Sequence, residues 1–231
     1  MRLHGQVIIT SNRDEHLQRE NAVAPALHTL PAKKIIFPKD AKAGGSWFAA
    51  ADDGVVLVLL NGAFKKHNPQ PPYRKSRGLI LLEIIEANEP LSFFKVISLE
   101  NIEPFTIVLY QPDQLYELRW DGKNKHEKQL DAAGSYIWSS ATLYNDEIIA
   151  YREELFEQFI HSAAITAKGI YDFHASNNGD TENGFIISRK TGMKTFSITQ
   201  AVVNDDAVNF LHSDLLQQQE YAEVLPLKQT A

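Results

Sequence analysis

The chain of 231 residues has no cysteine, which excludes disulfides, thiolate metal sites and a cysteine nucleophile among its own residues. It has no apolar run near the ~20 residues that cross a bilayer. The opening M-R-L-H-G lacks the h-region of a signal peptide, so a cytoplasmic protein with no membrane span is expected. It also lacks a basic excess: Lys and Arg number 23 against 29 Asp and Glu, for a net charge of −6. A nucleic-acid surface normally shows the opposite balance, and no nucleic-acid partner is expected. The eight histidines, at 4, 16, 28, 67, 126, 161, 174 and 212, have no paired metal spacing. No metal and no cofactor is expected, and His174, after Asp172-Phe173, is the one to watch.

What is present is an ordinary globular composition, 44% apolar and 23% charged. The organising stretch is V-I-I-T-S-N-R-D-E, residues 7 to 15. Val7 to Ile9 predicts a short strand that ends in a polar cluster, Asn12, Arg13, Asp14 and Glu15. A planar guanidinium between carboxylates suits a fixed, half-buried network, although four polar residues after a strand are more often a solvated turn. Gly44-Gly45 before Ser46-Trp47 predicts a tight turn beside something bulky. It lacks the spacing and lysine of a phosphate loop. Val55 to Leu60 is the most continuous apolar run, as for a strand covered on both faces, and it stops at Asn61-Gly62.

Elsewhere the pattern predicts an irregular stretch from Asn21 to Pro31 and strands at Lys34–Phe37, Phe105–Tyr110, Leu115–Trp120 and Ser135–Ser140. Helices are expected over Leu79–Ala87 and Leu91–Ile97, then in a long amphipathic segment capped by Asn145, and again over Ser162–Tyr171. Phe185–Ser188 is expected to pair with Lys194–Thr199, and Ala201–Val203 with Val208–Leu211. Blocks of strands alternating with helix pairs give an α+β fold of two stacked sheets with helices outside. Residues 1–215 are expected to form a single domain, and 216–231 a weakly ordered tail.

An ordered set of motifs then resembles a known family. It comprises S-N-R-D-E at 11 to 15, G-G-S-W at 44 to 47, L-L-N-G-A-F at 59 to 64 and Y-R-K-S-R-G at 73 to 78. I-E-P-F at 102 to 105, E-L-R-W-D-G at 117 to 122 and I-W-S-S-A-T-L-Y at 137 to 144 complete it. Together they resemble the NRDE family, which includes the transport and Golgi organisation 2 proteins. The resemblance implies a four-layer αββα sandwich of the N-terminal nucleophile hydrolase type. In such enzymes a terminal cysteine attacks an amide, and its own α-amine, titrating at about 7.7–8.0, serves as base. Carried over, Arg13 and Asp14 would support nucleophile and amine, and Asn61 would donate to the oxyanion. Ser139 or Ser140 would stand near a second oxyanion donor. Asn12, Glu15, Gly44, Gly45, Trp47 and Arg77 fall on the remaining motif positions.

The chain departs from that pattern at its start. The family begins Met-Cys with a full first strand, whereas M-R-L-H-G-Q leads here directly into the motif. Arg2 is too large for ordinary removal of the initiator methionine. The expectation is therefore a truncated first strand, with a start assigned too late as the favoured explanation. Three functions follow: hydrolysis of a non-peptide amide in a full-length form, non-catalytic binding or trafficking of haem or an acyl lipid, or a plain interaction domain. A cavity bordered by Asp14, Asn61 and Ser139 favours the first two, and a sealed core the third. The expected partner is an unidentified small molecule, with homo-oligomerisation left open.

Overall fold

The computed structural model describes residues 1–162 and 165–228. In chain order it runs β1 (Arg2–Leu3), β2 (Gln6–His16), β3 (Val23–Thr29), β4 (Lys34–Lys39), β5 (Phe48–Ala51) and β6 (Val56–Asn61). Helices α1 (Arg77–Glu86) and α2 (Pro90–Val96) follow, then β7 (Phe105–Gln111), β8 (Gln114–Trp120) and β9 (Lys125–Leu130). After α3 (Asp146–Ile160) and α4 (Ala167–His174) the chain ends in β10 (Met193–Val203), β11 (Ala207–Asp214) and β12 (Gln219–Pro226).

Two antiparallel sheets result. The smaller has the order β1-β2-β10-β11-β12, and the larger is a continuous meander from β3 to β9. Residue alternation explains how they stack. In β6, Val56 and Val58 turn toward the smaller sheet and join Val7, Val203, Phe210 and Leu225 in one apolar cluster. Leu57 turns the other way, into a second cluster with Ile80, Leu81, Ile84 and Ile85 of α1 and Phe94 of α2. Helices α1 and α2 therefore cover the larger sheet, while α4 packs on β2 and β10 of the smaller one. The layer order is α-β-β-α, as the motif resemblance implies.

Local chemistry accounts for the elements that position the site. Ser76 caps α1 by accepting from the Leu79 amide, and Asn145 caps α3 by accepting from Ile148. A Cβ on Gly45 would lie 2.3 Å from the Gly78 carbonyl carbon. Gly44, at φ +73°, makes the expected turn, and Gly45 serves a close approach to the start of α1. Gly62, at φ +83°, has the same role: a Cβ there would lie 2.8 Å from the Thr142 methyl, so residues 139–142 can lie against the end of β6.

Five expectations need correction. The strand at Val7 does not stop at Ile9 but continues through the polar cluster to His16, because β10 pairs with it along its whole length. Asn21–Pro31 is not irregular: Val23–Thr29 forms β3, and Pro25 is tolerated because β3 is an outer strand with an irregularity between Val23 and Ala26. Residues 135–140 form no strand. Phe185–Ser188 contributes only an isolated bridge, Ser188 to Lys194, since from Ser197 onward β2 and β11 occupy both edges of β10. The expected tail instead holds β12, paired with β11 from Gln219 to Pro226 and anchored by buried Leu225.

Candidate functional site

Strand β2 is the spine of the site, and its pleat sorts the motif. Arg13 and Asp14 point to opposite faces. Arg13 enters the space between the sheets, where its guanidinium lies 4.4 Å over the Trp47 ring and its Nη2 donates to Asp40 at 2.8 Å. Asp40 also takes two donors from Arg19 and the backbone amides of Lys42 and Ala43. Glu15 is a longer partner of Arg13, at 3.5 Å. Arg13 Nη1 is buried with no partner among the described residues, an orphaned charge-bearing donor of the kind native structures seldom leave.

Asp14 faces the α3–α4 layer. Its carboxylate accepts from the Thr195 hydroxyl at 2.6 Å and from the Tyr144 hydroxyl at 3.1 Å. Burial pushes its pKa above the usual carboxylate value, against the pull of Thr195, the Arg152 charge, Tyr144 and Arg189. Burial and the Asp14 charge in turn raise the Tyr144 phenol. Arg13, on the other face of the strand, does not hold Asp14. Thr195 of β10 and Tyr144 in the loop before α3 do so.

Arg152, on α3, completes this side. It is buried, donates to Ser139 Oγ at 3.0 Å and to the carbonyls of Asn183 and Gly184, and packs 4.3 Å from the rings of both Tyr144 and Phe185. No carboxylate pairs with it within 4.0 Å among the described residues. Asn12 is structural in its contacts, tying β2 to the end of α4. Its amide donates to the carbonyls of His174 and Phe185, and its oxygen meets His174 Nδ1 at 2.9 Å. Burial and the nearby Arg152 lower the His174 pKa to about 3, so its ring is neutral.

These groups border one cavity of about 440 Å³ between the sheets and under α3, within the size range of small-molecule sites. Asp14, Asn61 and Ser139 all line it, as do Asn12, Arg13, Glu15 and Ser140. Gly45, Trp47 and Arg77 border it too, with Arg77 held by Glu103 at 3.1 Å. Gly44 is not among the lining residues. Asn61 sits at the end of β6 with an exposed side chain, and its carbonyl accepts from Ser140 Oγ at 2.9 Å. Ser139 is engaged differently, as an acceptor from Arg152.

The cavity is polarised along β2. Beside Met1 and Val7 its wall is Tyr110, Leu115, Tyr136 and Trp138. The Arg2–Asp113 ion pair fixes that end. The far end carries Arg13, Asp14, Tyr144 and Arg152. Sequence reasoning missed Asp40, Tyr144, Arg152 and Thr195. Arg152 left a readable trace: it shares a helical face with Ile148, Leu155 and Phe156, a lone cation on an otherwise apolar stripe.

Comparison with known proteins gives a family and a set of similar solved structures, among them two of one hydrolase. The family model described as Transport and Golgi organisation 2 matches residues 4–219. An arginine-to-leucine variant of conjugated bile acid hydrolase from Clostridium perfringens aligns with a TM-score of 0.47 and 9% identity, over 97% of this chain and 86% of that one. A cysteine-to-alanine variant of the same hydrolase gives 0.47 and 10%, over 99% and 90%. No curated protein matches the chain.

Proposed function

The chain belongs to the Transport and Golgi organisation 2 family, and from that premise we propose that its inter-sheet cavity binds an acyl small molecule with an anionic head. The carrying observation is Arg152, a buried guanidinium on the cavity wall with which no carboxylate forms an ion pair within 4.0 Å among the described residues. A buried cation is costly unless paired, and an anionic ligand would supply the missing charge. The Arg13 donor without a partner lies at the same end. The aromatic and aliphatic wall of Tyr110, Leu115, Tyr136 and Trp138 suits an apolar tail at the other.

Decanoate is the first probe. The protein is expected to bind it, and Arg152→Met to weaken binding by about tenfold or more, in line with loss of a charge-assisted contact. Arg152→Lys, which keeps the charge, should restore part of it. A wild-type protein that ignores decanoate at millimolar concentration would sink the reading.

A second reading, hydrolysis of a non-peptide amide, is favoured by Asp14. This carboxyl is buried and held by two hydroxyls beside the cavity, and such perturbed carboxyls concentrate at catalytic sites. The nucleophile that the family mechanism uses is a cysteine, which these 231 residues do not contain. Intact mass and terminal sequence of the protein from its native source, followed by amidase assay, decide between the readings. Turnover by a cysteine-initiated form makes hydrolysis primary, and inactivity of every native form leaves binding.

A further inference from the structure

Between β6 and α1 the charge of the chain changes sign. No Asp or Glu stands between Asp53 and Glu83, yet Lys65, Lys66, Arg74, Lys75 and Arg77 all fall there, in a chain of net charge −6. The fold neutralises only part of this cluster: Lys75 pairs with Glu83, and Arg77 with Glu103. Lys65 and Lys66 are exposed and form no ion pair within 4.0 Å among the described residues. Arg74 is exposed too, and its guanidinium donates to the carbonyls of Ser98 and Glu100, at 2.6 and 3.3 Å. Those contacts fix its position and leave its charge without a carboxylate.

Beside the two lysines stands Phe64, a large apolar side chain that is 52% exposed. It is held in place rather than loose. The Arg119 guanidinium lies 4.8 Å from the ring centroid, and His126 meets the ring edge-on at 4.9 Å. A fixed aromatic ring next to unpaired cations suits a phase boundary, where the ring leaves water and the charges stay in it.

The kinds of partner that read such a segment make different demands. A domain that grips proline-rich chains in an aromatic groove needs an extended segment. Here the Tyr73 hydroxyl accepts from the Gln70 amide at 2.6 Å, which folds the prolines into a turn, and Arg74 is already engaged. A nucleic acid would run on past the loop and meet the acidic remainder of the chain. A flat anionic bilayer can meet the one loop, because its potential fades within about 10 Å in salt and leaves the distant carboxylates unopposed.

We infer that residues 64–75 dock the protein on an anionic lipid surface, with Lys65, Lys66 and Arg74 against the headgroups and Phe64 seated among them. The loop springs from Asn61 and returns at Ser76, both of which line the cavity, so the docked face adjoins the cavity rim.

The test is co-sedimentation of the whole chain with phosphatidylcholine vesicles, with and without about 30% phosphatidylserine. Binding is expected to the anionic vesicles only, and to be lost as NaCl rises from about 0.05 to 0.5 M. Lys66→Glu should weaken it about fivefold or more. Lys34→Glu makes the same charge change on an exposed lysine next to Lys33, which meets Ala87 past the far end of α1, and should change it by less than about twofold. Phe64→Ser should weaken it several-fold without lowering the melting temperature. Equal binding to neutral vesicles, or equal losses from Lys34→Glu and Lys66→Glu, would overturn the inference. So would binding to soluble polyglutamate but to neither vesicle, which would assign the loop to an acidic protein. Decanoate binding without vesicle binding would overturn docking and leave the acyl-binding reading standing, and vesicle binding without decanoate binding would do the reverse.

Discussion

The two helical layers of this molecule solve different problems. On the larger sheet, α1 and α2 bury Ile80, Leu81, Ile84, Ile85 and Phe94 almost completely. On the smaller sheet, the 15 residues of α3 bury only one side chain, and it is Arg152. Ile148, Leu155, Phe156, Phe159 and Ile160, which the helical spacing marks as a buried face, are only half-buried, because α3 roofs a cavity instead of sealing against a sheet. One layer is packed to native density and supplies the burial that holds the fold. The other is left open around charged and hydroxylated groups, which cost stability unless something is bound there.

The sharpest way to break this contrast is a matched pair of truncations. Phe94→Ala on α2 removes a ring that is 1% exposed and should cost about 3–5 kcal/mol of unfolding free energy in urea. Phe156→Ala on α3 removes a half-buried ring that meets Phe173 at 6.0 Å and should cost about 1 kcal/mol. Equal costs would mean that the α3 layer is packed like its counterpart, and the contrast would fall.

The next effect concerns the arginine between the sheets. Asp40→Ala leaves Arg13, whose Nη1 already has no partner, with only its 3.5 Å contact to Glu15, and should cost about 3–5 kcal/mol, at or a little below the Phe94 truncation. Arg13→Met should cost less. Asp40 would keep Arg19 and two backbone amides, and the methionine side chain would still cover Trp47. The reverse order would mean that the orphaned donor is well solvated.

A smaller effect is expected from pH. Burial lowers His174 to about 3 and His212 to about 4 from an ordinary 6.5. The unfolded chain therefore binds protons that the folded one refuses. Stability from these two rings is fully present above pH 6.5 and is lost as pH falls toward 3. Thermal melts across that window should show the decline, and His174→Gln should flatten part of it.

How much of this was legible in the sequence follows from where each signal is local. The apolar run at Val55, the cap residues Ser76 and Asn145 and the hairpin turn at Gln111–Gln114 act within a few residues, and they placed β6, α1, α3 and the β7–β8 pair. Polar content hid β2 and β12, because their pairing depends on partners distant in sequence: β10 lies about 180 residues after β2. The polar cluster drew attention to the right strand, but the pleat that turns Arg13 and Asp14 apart appears only once the strand is known to continue. Asp40, Tyr144 and Thr195 come from three separate segments and meet β2 only in the folded chain. No local pattern announces such a meeting.

The smallest expected effect is the most informative about the open layer. Asp14 has a raised pKa, first because it is buried, with Thr195, Arg152 and Tyr144 only partly offsetting that burial. For a carboxyl raised in the fold, stability is fully present below the unfolded value of 3.8 and is lost as pH rises through the folded pKa. At pH 8 the ionised group is therefore a liability. Asp14→Asn removes the charge and keeps an oxygen to accept from Thr195. It should leave the melting temperature at pH 8 unchanged or slightly higher, by the equivalent of up to about 1 kcal/mol. The difference should shrink on acidification, as the native carboxyl takes up its own proton. If the variant instead melts well below wild type at pH 8, Asp14 is a structural anchor, and the smaller-sheet layer is built for the fold as much as the larger one is. A neutral or stabilising outcome means that the carboxylate is kept against the interest of folding, in the layer where α3 leaves room for a ligand.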